Sequence, residues 1–104
     1  MVYIKTKSEI AVIRAGGQRL AQILQALAKE IKPGLRTARL EDLALRLIKS
    51  AGGAPAFKDY PMGDGLFFPS ALCVSINDEV VHGSALPDRE IKSGDIVDLD
   101  IGME

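Results

Sequence analysis

Apolar residues recur at alternating three- and four-residue steps along the first part of the chain: Ile10, Ile13, Leu20, Leu24, Leu27 and Ile31, with Gly17 in the same series. That spacing predicts one continuous helical stripe, about six turns long. Thr6-Lys7-Ser8-Glu9 has the form of a capping box, with Thr6 as N-cap and Glu9 reaching back to it. Gly16-Gly17 interrupts the stripe at a cost of ~1 kcal/mol per glycine relative to alanine, so a close neighbour is expected to pack there. Lys32-Pro33-Gly34 ends the helix, and a second one follows with Thr37 as its expected N-cap. Leu40, Leu43, Ala44, Leu47 and Ile48 form the apolar face of this second helix, Lys49 complements the helix dipole in its last turn, and Gly52-Gly53 stops it. Two amphipathic helices joined by so short a link are expected to lie against each other.

The periodicity then changes. Pro55, Pro61, Gly63, Gly65 and Pro69 break up a stretch that cannot be helical. Leu72, Val74 and Ile76 alternate with Cys73 and Ser75, the period of a strand. Asn77-Asp78 has turn chemistry and Val80-Val81-His82 resumes an extended pattern, which predicts a β-hairpin. Ile91-Lys92-Ser93-Gly94-Asp95 reads as a turn into a last strand over residues 96–101. Helices first and strands second is an α+β order.

Composition narrows the picture. With 104 residues the chain is expected to form a single domain, 1–104, and its 47% hydrophobic and 26% charged residues exclude a disordered chain. A net charge of −1 gives no electrostatic reason to expect nucleic acid or an anionic membrane as partner. Cys73 is the only cysteine, which excludes an internal disulfide and fits a reducing compartment. No stretch approaches the ~20 apolar residues of a membrane span. Residues 1–10 carry Lys5 and Lys7 where a signal peptide has its apolar run, so a cytoplasmic location is expected.

Few residues can carry chemistry. Asp98 and Asp100 project from one face of the last strand, ~7 Å apart, because side-chain direction repeats every second residue. They read either as an exposed strand face or as the source of at least one metal ligand, since buried carboxylates need a partner. His82, the only histidine, stands at a strand end between Val81 and Gly83, where sites tend to be built. Cys73 reads as a small buried hydrophobe, and no second histidine is available to activate it as a nucleophile. The glycines of Tyr60-Pro61-Met62-Gly63-Asp64-Gly65 lack the strand-then-helix setting of a phosphate loop. Phe57, Tyr60, Phe67 and Phe68 gather in the same broken stretch, either to cover the core or to line an apolar pocket.

The run Phe68-Pro69-Ser70-Ala71-Leu72-Cys73-Val74-Ser75-Ile76-Asn77-Asp78-Glu79-Val80-Val81-His82-Gly83 resembles methionine aminopeptidases of the bacterial type I class. Lys92-Ser93-Gly94-Asp95-Ile96-Val97-Asp98-Leu99-Asp100-Ile101-Gly102 is similar to the aspartate-bearing strand of the same family. Ile4-Lys5-Thr6, Ile10, Lys32-Pro33-Gly34 and Thr37 match as well, so the resemblance covers the whole chain.

The resemblance implies the N-terminal half of a pita-bread fold, with a pair of antiparallel helices packed on a small, mostly antiparallel β-sheet. It implies a metal-dependent hydrolase that removes the N-terminal methionine of peptides. Asp100 stands where the family has its first metal-binding aspartate, and the family's centre holds a pair of divalent ions of the Co, Mn, Fe or Zn class. His82 stands at the family histidine that contacts the scissile peptide, and Phe57, Tyr60, Phe68 and Cys73 fall on positions lining the methionine pocket. Asp98 falls on a variable position. Between Tyr60 and Phe68 this chain has residues 61–67 where the family usually has two, an insertion at the substrate pocket. The family's other metal ligands have no counterpart in these 104 residues. The chain alone is therefore expected to be inactive, to hold no metal stably, and to pair with a second copy of itself or with a complementary C-terminal half. A non-catalytic, self-associating half-domain is the alternative reading.

Overall fold

The capping box forms as the sequence predicts. In the computed structural model, which describes residues 3–104, the Thr6 amide donates to Glu9 Oε1 at 2.8 Å and the Glu9 amide donates to Thr6 Oγ1 at 3.2 Å. This opens helix α1, Lys7–Glu30. Its packing is uneven, however. Ile23 and Leu27 are buried, whereas Ile10 and Ile13 are 45% and 58% exposed and Val12 is 73% exposed. Only the carboxy-terminal half of the predicted stripe faces the core, and the most enclosed residue beside Leu27 is Ile23, which the stripe omitted. The expected close neighbour at Gly16-Gly17 is absent too: a methyl group built on either glycine would meet nothing within 4 Å.

Helix α2, Thr37–Ser50, runs back along the inner half of α1, antiparallel to it. The Arg19 guanidinium of α1 donates to the carbonyl of Ala51 just past the end of α2, at 3.1 Å. The expected cap is corrected here. Arg36, not Thr37, is the N-cap, and Thr37 is the first helical residue, fully buried. Its hydroxyl donates to the Ala85 carbonyl at 2.6 Å and accepts from the Arg89 amide at 2.9 Å. The free amides of the first turn are served from a distance instead, with Ala38 N donating to Asp88 Oδ1 at 2.9 Å. Gly52, at φ 83, ends the helix in the left-handed region that favours glycine.

Pro61–Gly63 (β1) and Leu66–Phe67 (β2) form a small antiparallel hairpin inside the broken stretch. Leu72–Ile76 (β3) pairs antiparallel with Val97–Ile101 (β4), with Leu72 opposite Ile101 and Ile76 opposite Val97. The hairpin expected through Asn77-Asp78 does not form. Val80, Val81 and His82 lie outside any strand, and the partner of β3 arrives from farther along the chain. Asn77 locks that long-range pairing: its amide donates to the Ile96 carbonyl at 2.8 Å, and its side-chain oxygen accepts from Ile96 N at 3.0 Å.

The core lies between the helices and one face of the β3–β4 sheet. Leu27, Leu40, Ala44 and Ile48 meet Leu72, Val74 and Ile101, with Val97 and Leu99 partly covered at the margin. The order is α+β, two helices against the antiparallel β3–β4 sheet, with the β1–β2 hairpin standing apart from them. No helix among the described residues is long and apolar enough to cross a membrane.

A candidate active-site pocket

Strand alternation separates two chemistries on the β3–β4 sheet. Leu72, Val74 and Ile101 point into the core, so Cys73, Ser75, Asp98 and Asp100 share the opposite face. Cys73 lies directly opposite Asp100, and Ser75 opposite Asp98. Asp98 and Asp100 are both exposed, which fits the first of the two readings of their spacing and leaves Asp100 accessible as a ligand.

The other flank of β3 is held by the segment carrying His82. The Val74 amide donates to the Gly83 carbonyl at 2.8 Å, and the Gly83 amide donates to Ser75 Oγ at 3.1 Å. Gly83 is required by close approach: a Cβ there would collide with the Val74 carbonyl oxygen. His82, at φ 57, reverses the chain immediately before this contact. Histidine is among the residues that enter the left-handed region more readily.

Side chains that the sequence reading did not single out fix this arrangement. Arg89 Nη2 donates to the carbonyls of Val74 (2.9 Å) and Ser84 (2.7 Å), and Nη1 to Glu79 Oε1 at 2.6 Å. Glu79 Oε1 also accepts from the Ile76 amide at 2.9 Å. The Arg89 contact, then the Ile76 amide, holds the Glu79 carboxyl below its ordinary range. At the start of β3, Glu41 of α2 is 3% exposed and accepts from both Ala71 N (2.8 Å) and Leu72 N (3.0 Å). Glu41 belongs to the buried series Thr37, Leu40, Ala44 and Ile48. A carboxylate in register with an apolar stripe is the signal that could have marked it.

Above this sheet face opens a cavity of about 380 Å³. Phe57, Tyr60, Phe68, Cys73 and His82 line it, and Pro61 and Met62 of the hairpin complete the lining. Five of the residues singled out from sequence thus come together, while Asp100 is not in the lining and sits across the sheet from Cys73. Phe67, grouped with these aromatics in the sequence, is 58% exposed and outside the lining. Pro61 and Met62 were not singled out individually, because nothing in the pattern shows that residues 61–67 fold back as a hairpin.

The lining is almost wholly apolar, so the cavity suits an uncharged side chain. Burial, then the negative charges of Asp100 and Glu41, push the Cys73 thiol up to about 11. It is a protonated, inert member of the wall rather than a nucleophile. Among the described residues no three of His, Cys, Asp and Glu come close enough together to hold a metal ion. Asp100 is a candidate single ligand, and the residues present do not assemble a metal centre by themselves.

Residues 11–104 match the model of metallopeptidase family M24. The chain is 40% identical over 102 residues to the methionine aminopeptidase of Aquifex aeolicus, covering 97% of this chain and 40% of that protein. It is 42% identical over 105 residues to methionine aminopeptidase 1 of Bacillus subtilis, covering 100% of this chain and 40% of the relative. The crystal structure of the Rickettsia prowazekii methionine aminopeptidase superposes with a TM-score of 0.90 at 33% identity, over 99% of this chain and 39% of that one. The chain spans about two fifths of the length of these relatives. The close superposition agrees with the half pita-bread fold expected from the sequence.

Proposed function

The chain belongs to metallopeptidase family M24, and from that premise we propose that it is the N-terminal portion of a metal-dependent methionine aminopeptidase. The observation that carries this reading is the gathering of Phe57, Tyr60, Phe68, Cys73 and His82 around one apolar cavity, on the sheet face that also bears Asp100. In this reading the cavity takes the methionine side chain of a peptide's first residue and excludes water from it. His82, whose ring nitrogens can each donate or accept, holds the first peptide bond at the rim. Asp100 supplies one carboxylate ligand to divalent ions in the whole protein, where such ions activate water and polarise the scissile carbonyl. Because the described residues assemble no metal centre, no step through a metal is assigned to this chain alone, which is expected to be inactive.

The test joins the chain to the carboxy-terminal remainder of a methionine aminopeptidase relative and follows cleavage of a Met-Ala-Ser peptide with bound metal measured in parallel. Asp100→Ala is expected to remove metal and activity together. His82→Ala is expected to lower turnover with metal content close to the parent's. A loss of metal in His82→Ala as large as in Asp100→Ala overturns the role given to His82, and turnover of the peptide by the 104-residue chain alone overturns its expected inactivity.

A second reading, a self-associating half-domain, is favoured by the apolar residues left uncovered on α1 and before it: Tyr3, Ile4, Ile10, Val12 and Ile13. Strand β4 pairs only with β3 among the described strands, which leaves an edge for a second copy. Sedimentation at micromolar concentration tests it; a mass near 11.2 kDa that does not rise with concentration refutes self-association.

A further inference from the structure

We propose that the β1–β2 hairpin is the adjustable outer wall of the cavity, and that Met62 on it sets which apolar side chain of a peptide's first residue is accepted. This rests on the substrate reading above and extends it to the hairpin. The hairpin is built almost entirely from its own backbone. Gly63, Asp64 and Gly65, at φ 90, 52 and 73, are three successive left-handed residues that make its tip. It packs against no helix and no other strand. The body of the protein holds it at its base, where the Asp59 amide donates to the Phe68 carbonyl and the Phe68 amide to the Tyr60 carbonyl, both at 2.9 Å.

Met62 nevertheless reaches the cavity, although it is 60% exposed. Phe68 and Cys73, which share the lining, are buried, Cys73 within the paired strand β3 and Phe68 held by backbone bonds to Asp59 and Tyr60, so they have little room to adapt to an entering group. Met62 can adapt. Its unbranched thioether has several accessible rotamers and fills irregular space against apolar or aromatic partners. A straight uncharged side chain inserted against Phe68 and Cys73 would be covered from the solvent side by Met62. Loss of Met62 would leave that side chain wet and give more room to a bulky aromatic one.

The test uses the 104-residue chain labelled at its methionine methyl groups and titrated with L-methioninamide and, separately, L-phenylalaninamide by NMR. The Met62 methyl resonance is expected to move together with the amides of Phe68 and Cys73, while that of Met103, which packs beside Gly53 away from the cavity lining, stays in place. Met62→Ala and Met62→Gln are each expected to weaken L-methioninamide binding by roughly tenfold, the range for removing a few apolar atoms from a pocket. Met62→Ala is also expected to shift preference toward L-phenylalaninamide. Movement of the Phe68 and Cys73 amides with a stationary Met62 methyl, and unchanged affinity in both variants, overturns the role of the hairpin and leaves the pocket reading standing. No movement at any cavity residue overturns both.

Discussion

The cavity has two walls of opposite construction. Its inner wall, β3 with the segment around His82, is tied from three directions: Glu41 caps the start of the strand, Arg89 holds the Val74 and Ser84 carbonyls, and Gly83 presses against the strand backbone. Its outer wall, the β1–β2 hairpin, has a ladder of its own and a pair of backbone bonds at its base. The inner wall carries Cys73 and His82, and Asp100 stands beside it on β4, opposite Cys73. Under the proposed function, rigid support lies where polar groups must be aimed, and the less supported wall has only an apolar side chain to meet, whose recognition tolerates imprecision.

The largest effect expected on the inner wall follows removal of its cap. Glu41→Ala leaves the Ala71 and Leu72 amides without partners inside a buried site. Hydrogen bonds to a charged acceptor contribute about 1.5–3 kcal/mol each, and the orphaned donors add a desolvation cost, so a loss of about 3 kcal/mol is expected in urea unfolding. A loss under about 1 kcal/mol would show that β3 is held by packing alone.

Cys73 reports on the same wall chemically. Its thiol is raised from an ordinary 9.0 to about 11, so at pH 8 the reactive thiolate is about a hundredfold scarcer than in the unfolded chain. Alkylation by iodoacetamide should be slower in the native protein by at least about that factor. The sign for stability follows: the contribution is complete below pH 9.0 and is lost as pH rises toward about 11, because the unfolded thiol ionises first. Native reaction at the unfolded rate would place Cys73 in solvent and remove it from the wall.

Arg89→Ala is expected to cost about 2 kcal/mol, since it strips both carbonyls and Glu79 of their donor but leaves them partly reachable by water. It should also flatten the acid limb of stability. The Glu79 carboxyl is held below its ordinary 4.5 chiefly by Arg89, so its contribution is full above 4.5 and fades as pH falls through the lowered value. Stability measured against pH should lose that component in the variant. An unchanged acid limb would separate Glu79 from the support of the inner wall.

How much of this was legible in the chain depended on the range of the interaction. The capping box at Thr6, the glycine stop at Gly52 and the alternation of Leu72, Val74 and Ile76 are local patterns, and each forms. Thr37 was misassigned because a threonine before an apolar run looks like a cap, while its hydroxyl in fact bonds Ala85 and Arg89 far along the chain. The turn expected at Asn77-Asp78 forms, with the Glu79 amide donating to the Ile76 carbonyl at 3.2 Å, but no hairpin follows it, because Asn77 bonds Ile96 and Asp95 and the partner of β3 is the distant β4. The apolar stripe of α1 predicted burial along its whole length, although periodicity states only which face would be covered. The residues of the cavity were legible through their resemblance to a family and Glu41 through its register with the apolar stripe of α2, whereas Arg89 and Met62 act through contacts that no local pattern encodes.

The smallest effect is expected on the outer wall, and it tests the contrast most directly. Replacing residues 62–66 by a two-residue Asn-Gly turn keeps the base formed by Asp59, Tyr60 and Phe68 and removes only the part that packs on no other element. The side chains lost are already exposed, with Met62 at 60% and Leu66 at 63%, so little apolar area returns to water on the folded side. Shortening a loop by a few residues changes closure entropy by a fraction of a kcal/mol, in the stabilising direction. Three left-handed residues at the tip also disappear, and Asn-Gly adopts the remaining turn without strain. The net change should therefore stay within about 0.5 kcal/mol in urea unfolding, with the slope of the transition unaltered. A destabilisation near that of Arg89→Ala would mean that the hairpin helps to hold Phe57 and Phe68 in place, and the two walls would then be one cooperative unit rather than a fixed frame with an adjustable cover.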